Sequence, residues 1–74
     1  MRYLIIVNYD SCYGFSVVAN GREMWNTPMF RKLRKIVSME YDYNGVKQKI
    51  LALYEKRYDL IIYYENEEPH FIKK

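Results

Sequence analysis

The chain has few of the residues from which catalytic and metal sites are built. Its 74 residues include one cysteine, Cys12, and one histidine, His70. A single cysteine allows no disulfide within the chain and no thiolate cage for a metal ion. This favours a reducing compartment, and we predict a cytoplasmic protein, in the host cytoplasm if the protein is viral. The sequence predicts neither a metal nor a cofactor.

Long apolar runs are missing as well. The run near the N-terminus, Tyr3–Val7, is much shorter than the roughly 20 residues that cross a membrane, and no small-residue cleavage site follows it. We therefore predict no secretion signal and no membrane partner. With three glycines, two prolines and no repeat or low-complexity tract, residues 1–74 are expected to form a single domain.

Apolar and aromatic residues are abundant. The chain is 50% hydrophobic and 18% aromatic, and nine of its residues are tyrosines, so it should fold. Tyrosine suits both cores and interfaces, because it joins a large ring to a hydroxyl group. A domain of this size buries only about 60 to 65% of the surface of its unfolded chain. Contact with a partner or a second copy would therefore add stability.

Two apolar runs near the chain ends predict the centre of a sheet. The uniformly apolar first run predicts a strand that is covered on both faces. The second strand returns antiparallel to the first, and Asn20–Gly21 then supplies a tight turn into a short third strand. A charged turn, Glu65–Glu68, separates the last two strands. The predicted strands are Tyr3–Tyr9, Phe15–Ala19, Arg22–Trp25, Leu60–Tyr64 and, at an edge, His70–Ile72.

Two helices are predicted between the strands. Thr27 and Pro28 have the pattern of an N-cap and first helical residue, and this helix should run to about Ser38. Residues 39–43 continue the apolar helical pattern as far as Tyr41, but they also alternate as a short strand would. Asn44–Gly45 is predicted to break the chain before a second amphipathic helix. The expected fold is α+β, with a small, mostly antiparallel sheet of four or five strands and two helices packed on one face.

The first predicted helix carries a run of cations opposite its apolar side. Arg31, Lys32, Arg34 and Lys35 fall between apolar residues at helical spacing. A basic, solvent-facing helix predicts docking on a protein partner with an acidic surface. The other residues that we predict to contact this partner are Lys47, Lys49, Trp25 and Tyr43.

The composition predicts a small non-enzymatic interaction protein. Tyrosine-rich single-domain chains of this kind are typical of accessory and inhibitor proteins of phages and other mobile elements. Such a protein would dock on a host macromolecule through the basic helix and exposed tyrosines. The alternatives for the same basic face are binding to DNA or RNA and simple exposure to solvent. A homodimer could also form by pairing along the edge at His70–Ile72.

The opening of the chain supports a second alternative. Asp10 follows the first strand, and Gly14 lies in the turn to Phe15–Ala19, an arrangement that resembles the opening of ribonuclease H-like and actin-like folds. The resemblance implies a divalent cation at Asp10 and a metal-dependent nuclease of reduced size. Such chemistry needs further carboxylates, so we interpret Asp10 as a turn residue. We likewise interpret Cys12 and His70 as non-catalytic and Glu65–Glu68 as a solvated turn, and we expect no enzyme.

Overall fold

The computed structural model describes residues 1–9 and 14–74. The predictions for Asp10 and Cys12 therefore lie outside the described residues. The described chain folds into five strands and two helices, which confirms the predicted α+β class. Its elements are β1 (Tyr3–Asn8), β2 (Phe15–Ala19), β3 (Arg22–Glu23), α1 (Pro28–Met39), α2 (Tyr43–Tyr54), β4 (Leu60–Glu65) and β5 (Glu68–Lys73).

The five strands form one mixed sheet with the order β3-β2-β1-β4-β5. β1 pairs with β4 in parallel, and the other three pairings are antiparallel. A parallel pair needs a long crossover connection, and this crossover contains both helices. The mostly antiparallel character of the sheet agrees with the prediction.

Two tight turns connect the antiparallel pairs at the sheet edges. Asn20 and Gly21, with φ of 53° and 82°, join β2 to β3. Asn66 and Glu67, with φ of 51° and 70°, join β4 to β5. Positive φ at both central residues is the turn geometry that matches the twist of paired strands. The turn was predicted to span Glu65–Glu68. It consists only of Asn66 and Glu67, because Glu65 and Glu68 belong to the strands.

Helix α1 begins where the sequence indicated. The Thr27 hydroxyl accepts a hydrogen bond from the Phe30 amide at 3.1 Å, and Pro28 occupies the first turn. The helix ends at Met39, because the backbone of Glu40 is extended. Residues 40–42 form a short connection between the two helices. Neither alternative predicted there is right for residues 40–42, which are neither a strand nor a continuation of α1, and Tyr43 already belongs to α2.

The prediction that Asn44–Gly45 breaks the chain before α2 was wrong. The Asp42 carboxylate accepts a hydrogen bond from the Gly45 amide at 2.8 Å, so α2 already begins at Tyr43. Gly45 instead provides space for a neighbour. A Cβ atom at Gly45 would lie 2.8 Å from Oε2 of Glu40, and Oε1 of the same carboxylate contacts Lys49 at 3.0 Å.

Both helices pack on one face of the sheet, which we call the helix face. Tyr63, at its centre, is fully buried. The Tyr63 hydroxyl accepts a hydrogen bond from the side-chain amide of Asn8 at 3.2 Å and donates one to the carboxylate of Glu65 at 3.4 Å. The buried core joins Leu4, Ile6, Val17, Ala19, Ile61, Tyr63 and Ile72 of the sheet to Leu33, Val46, Ile50, Tyr54 and Tyr58.

The opposite face of the sheet, which we call the open face, belongs to no described core cluster. Ile5 and Val7 of β1 point to this face and are half-buried, whereas Leu4 and Ile6 are fully buried. The prediction that β1 is covered on both faces was therefore wrong for the described chain. An apolar run predicts burial but cannot show which face lacks a covering layer. The open-face residues are Tyr3, Ile5, Val7, Ser16, Val18, Glu23, Leu60, Ile62, Tyr64, Pro69 and Phe71.

Candidate cationic interaction surface

Helix α1 presents four cations to solvent. We call Arg31, Lys32, Arg34 and Lys35 the cationic ridge, and all four are exposed. Leu33 and Ile36, which lie between and beside them, are buried. The apolar side of α1 is therefore used by the fold, and the charged side remains accessible.

The ridge charges are not neutralised by carboxylates of residues 1–9 and 14–74. The ion pairs in these ranges join Arg2 to Asp59 at 3.6 Å and Lys49 to Glu40 at 3.0 Å, and neither includes the ridge. Within the ridge, Arg31 donates a hydrogen bond of 3.4 Å to the backbone carbonyl of Asn26. A carbonyl oxygen leaves the positive charge in place, so the ridge can attract an external anion.

The positions of these charges do not stabilise helix α1. The first turn of α1 contains no acidic residue and its last turn no basic one, although acids at the start and bases at the end would stabilise the helix dipole. Arg31 and Lys35 are like charges four residues apart, a spacing that costs about 0.2 to 0.5 kcal/mol. The ridge therefore lowers helix stability slightly.

A shallow groove continues the ridge at the N-terminal end of α1. Lys32 contributes one cation to this groove, and Arg57, which follows α2, contributes another. The Arg57 guanidinium lies 5.5 Å from the Tyr54 ring centre and 6.0 Å from that of Tyr58. Contacts between a cation and aromatic rings favour this position of the guanidinium. The other residues that line the groove are Met24, Thr27, Pro28, Met29 and Tyr54.

Arg57 was not among the predicted contact residues. It lies 22 positions beyond Lys35 in the sequence, and no local pattern connects it to α1. One usable signal in the sequence was its position three residues after Tyr54, because residues three apart on a predicted helix lie on the same side. Burial raises the pKa of Tyr54, and Arg57 partly opposes this rise.

The two predicted lysines of α2 lie outside the ridge. Lys49 is exposed, but its ammonium group pairs with Glu40, and this carboxylate reduces its attraction for an external acid. Lys47 is half-buried. Their predicted role in partner binding stays a prediction.

The two predicted aromatic residues lie in different surroundings. Trp25 is 71% exposed and lines a separate cleft with Phe15, Ser16, Val17 and Glu23, none of which belongs to the groove. Tyr43 is half-buried and stacks on His70, with 4.4 Å between the ring centres. Burial raises the pKa of Tyr43. Tyr43 thus supports the fold, whereas the fully exposed Tyr41 presents its ring to solvent.

The ligating side chains of the described residues do not gather into a cluster of three or more. Among them, no group of three or more His, Cys, Asp or Glu side chains is placed to hold a metal ion. His70 lies in an aromatic stack, with 6.2 Å between its ring centre and that of Tyr63. In the same ranges, neither helix combines the length and apolarity needed to span a membrane. Comparison with known proteins finds no family model, no curated protein and no solved structure that matches this chain.

Proposed function

We propose that this protein is a non-enzymatic interaction protein that docks on an acidic protein surface through the cationic ridge. The observation that carries the proposal is a helix whose apolar side is buried in the core while its four cations face solvent without carboxylate partners in the described chain. An accessory or inhibitor protein of a phage or mobile element would use such a ridge to occupy an acidic surface of a host macromolecule.

The spacing of the ridge fits carboxylates on a regular protein element. Arg31 and Lys35 are separated by about 6 Å along the helix axis, because each residue adds about 1.5 Å. Two acidic residues four apart on a partner helix repeat at the same distance. Arginine can also bind a carboxylate through two parallel hydrogen bonds. The ridge would therefore set the orientation of the partner as well as attract it.

The groove beside the ridge extends this contact. Lys32 and Arg57 flank a surface to which Met24, Pro28 and Met29 contribute apolar atoms. An Asp or Glu of the partner would pair with the two cations of the groove. An apolar side chain next to it would contact the apolar atoms between them. Arg57 has the character of an interface anchor, because arginine is enriched among the residues that dominate binding energy and its position is supported by two rings.

The positions of the aromatic residues favour a protein over a nucleic acid. Binding to single-stranded DNA or RNA combines a cationic groove with exposed rings on which bases stack. Of the exposed rings, Trp25 lines a cleft that shares no residue with the groove. Tyr41 follows the C-terminal end of α1, whereas the groove lies at the N-terminal end. The partly buried Phe30 packs against Phe15, with 5.2 Å between ring centres. Nucleic acid is accordingly the alternative outcome of the test.

The test compares two variants with the same net charge. The ridge variant is Arg31→Gln with Lys35→Gln, and the control variant is Arg22→Gln with Lys56→Gln, two exposed cations outside the ridge. Each is immobilised and used to capture proteins from nuclease-treated lysate of the native host. We expect wild type and the control variant to retain the same acidic protein, and the ridge variant to retain at least tenfold less of it.

Titration with a 20-base-pair DNA duplex and a single strand of equal length distinguishes nucleic-acid binding from protein binding. Binding at low salt that falls steeply between 50 and 200 mM salt, and that the ridge variant loses, would assign the ridge to nucleic acid. Equal capture of an acidic protein by the ridge variant and wild type would show that the ridge does not form the contact. Circular dichroism verifies that both variants are folded.

A further inference from the structure

We propose that the open face binds the open face of a second copy of this chain, giving a two-fold symmetric dimer. The eleven open-face residues are apolar except for Ser16 and Glu23. Phe71 is 48% exposed and Ile62 is 9% exposed. Ile5, Val7 and Val18 are half-buried. Partly exposed apolar side chains on adjacent strands form a continuous surface of the kind that interfaces use.

The size of the open face fits a weak, reversible contact. The five strands have six, five, two, six and six residues, so with a rise of about 3.3 Å and a spacing of about 4.8 Å the face covers roughly 400 Å². Two such faces would together bury roughly 800 Å², which is below the roughly 1,000 Å² of a stable specific interface and fits a weak contact. The dimer is therefore expected to form reversibly, at micromolar rather than nanomolar concentrations.

One row across the open face indicates what covers it. The strand register places Glu23, Val18, Ile5, Ile62 and Phe71 side by side, one from each strand. The Lys74 ammonium lies 5.4 Å from the Phe71 ring centre, which brings it to the same face. The row thus has a carboxylate at the β3 edge, a cation at the β5 edge and apolar side chains between them.

This row is complementary to itself. β1 is the central strand, so a two-fold axis along β1 places the β3 edge of one copy against the β5 edge of the other. Each Glu23 then meets Lys74 of the second copy, and the two Ile5 side chains meet at the axis. Sheets pack face to face at about 30°, which displaces the two edges by roughly 5 Å, a distance that the long Glu and Lys side chains can span.

A second copy supplies this match by symmetry, since an isologous interface uses the same patch twice. Any other partner would need its own apolar face with a cation at one edge and an acid at the other. The open face also offers more apolar area than the His70–Ile72 edge considered from the sequence. The cationic ridge lies on the helix layer, on the opposite side of the sheet, so the dimer does not depend on the proposed docking function.

Sedimentation equilibrium from 1 to 200 µM tests the proposal. We expect wild type to shift from monomer to dimer over this range and to remain a dimer at 0.5 M NaCl, because most of the contact is apolar. Glu23→Lys and Lys74→Glu should each weaken the dimer at least fivefold. The double variant, which exchanges the two charges, should recover the wild-type affinity to within twofold.

Two further variants show where the contact lies. Ile5→Lys places two cations at the axis and should abolish the dimer, and Glu55→Lys, an exposed charge change at the end of α2, should leave it unchanged. Circular dichroism verifies folding, and the exposed Glu23 and Lys74 variants decide the question if Ile5→Lys does not fold. A wild-type monomer at 200 µM, or a dimer that Glu23→Lys and Lys74→Glu leave unaltered, would overturn the proposal.

Discussion

The β4–β5 turn offers a direct test of how the chain stores strain. Glu67 has a φ of 70°, and this left-handed conformation costs a residue with a Cβ atom about 1 to 2 kcal/mol. Glu67→Gly removes that cost, although glycine loses about 0.5 to 1 kcal/mol more than other residues through backbone entropy on folding. The net expectation is a gain of about 0.5 to 1 kcal/mol, or about 3 to 6 °C in the melting temperature of a domain this small.

Thermal and urea unfolding of matched variants provide the measurement. Glu67→Ala removes the same negative charge, which lies close to Glu65 and Glu68 in the sequence, but it keeps the Cβ atom. If backbone strain is the cause, Glu67→Gly gains clearly more stability than Glu67→Ala. Gly21→Ala at the equivalent turn position, where φ is 82°, should lose about 0.5 to 1 kcal/mol by the same balance of strain and backbone entropy. An equal gain in Glu67→Gly and Glu67→Ala would refute the reasoning and assign the effect to charge.

Two further predictions concern the N-cap of α1 and the loss of folding stability at low pH. Thr27→Ala should destabilise the protein by about 1 kcal/mol in urea unfolding, since Thr27 caps α1, and Thr27→Ser should retain most of that stability. The backbone amide of Arg2, followed by its positive charge, lowers the pKa of Asp59. Because the pKa is lower in the folded state, the carboxylate stabilises the fold above its unfolded pKa near 3.9, and this contribution is lost as pH falls through the folded value. The melting temperature of Asp59→Asn should consequently fall less than that of wild type below about pH 4, and an equal fall in both proteins would contradict this.

Local chemistry made most of the secondary structure predictable. The strand Phe15–Ala19 has the predicted limits, and Thr27 with Pro28 marked the start of α1. The beginning of α2 was not predictable from turn residues alone, because Asn44–Gly45 reads as a break until Asp42 is seen to cap the helix. Competing local signals of this kind are decided by side-chain hydrogen bonds, which residue type alone does not specify.

The cationic ridge was predictable because helical periodicity places its residues on one side of α1. The contribution of Arg57 depends on the end of α2 meeting the start of α1, which is a tertiary contact with no local pattern. The open face was missed for a different reason. Ile5 and Val7 are aliphatic, as are the fully buried Leu4 and Ile6, so residue type could not distinguish the helix face from the open face.

The parallel pairing of β1 with β4 has a consequence for folding kinetics. Arg2 and Asp59, which meet at the start of this pairing, are 57 residues apart in the chain, whereas β4 and β5 are joined by a two-residue turn. Closing a long loop costs entropy before the contacts that repay it exist. The β4–β5 hairpin can therefore assemble early, and the slow step is its meeting with β1. Substitutions at this seam, such as Ile6→Val, should therefore lower the refolding rate.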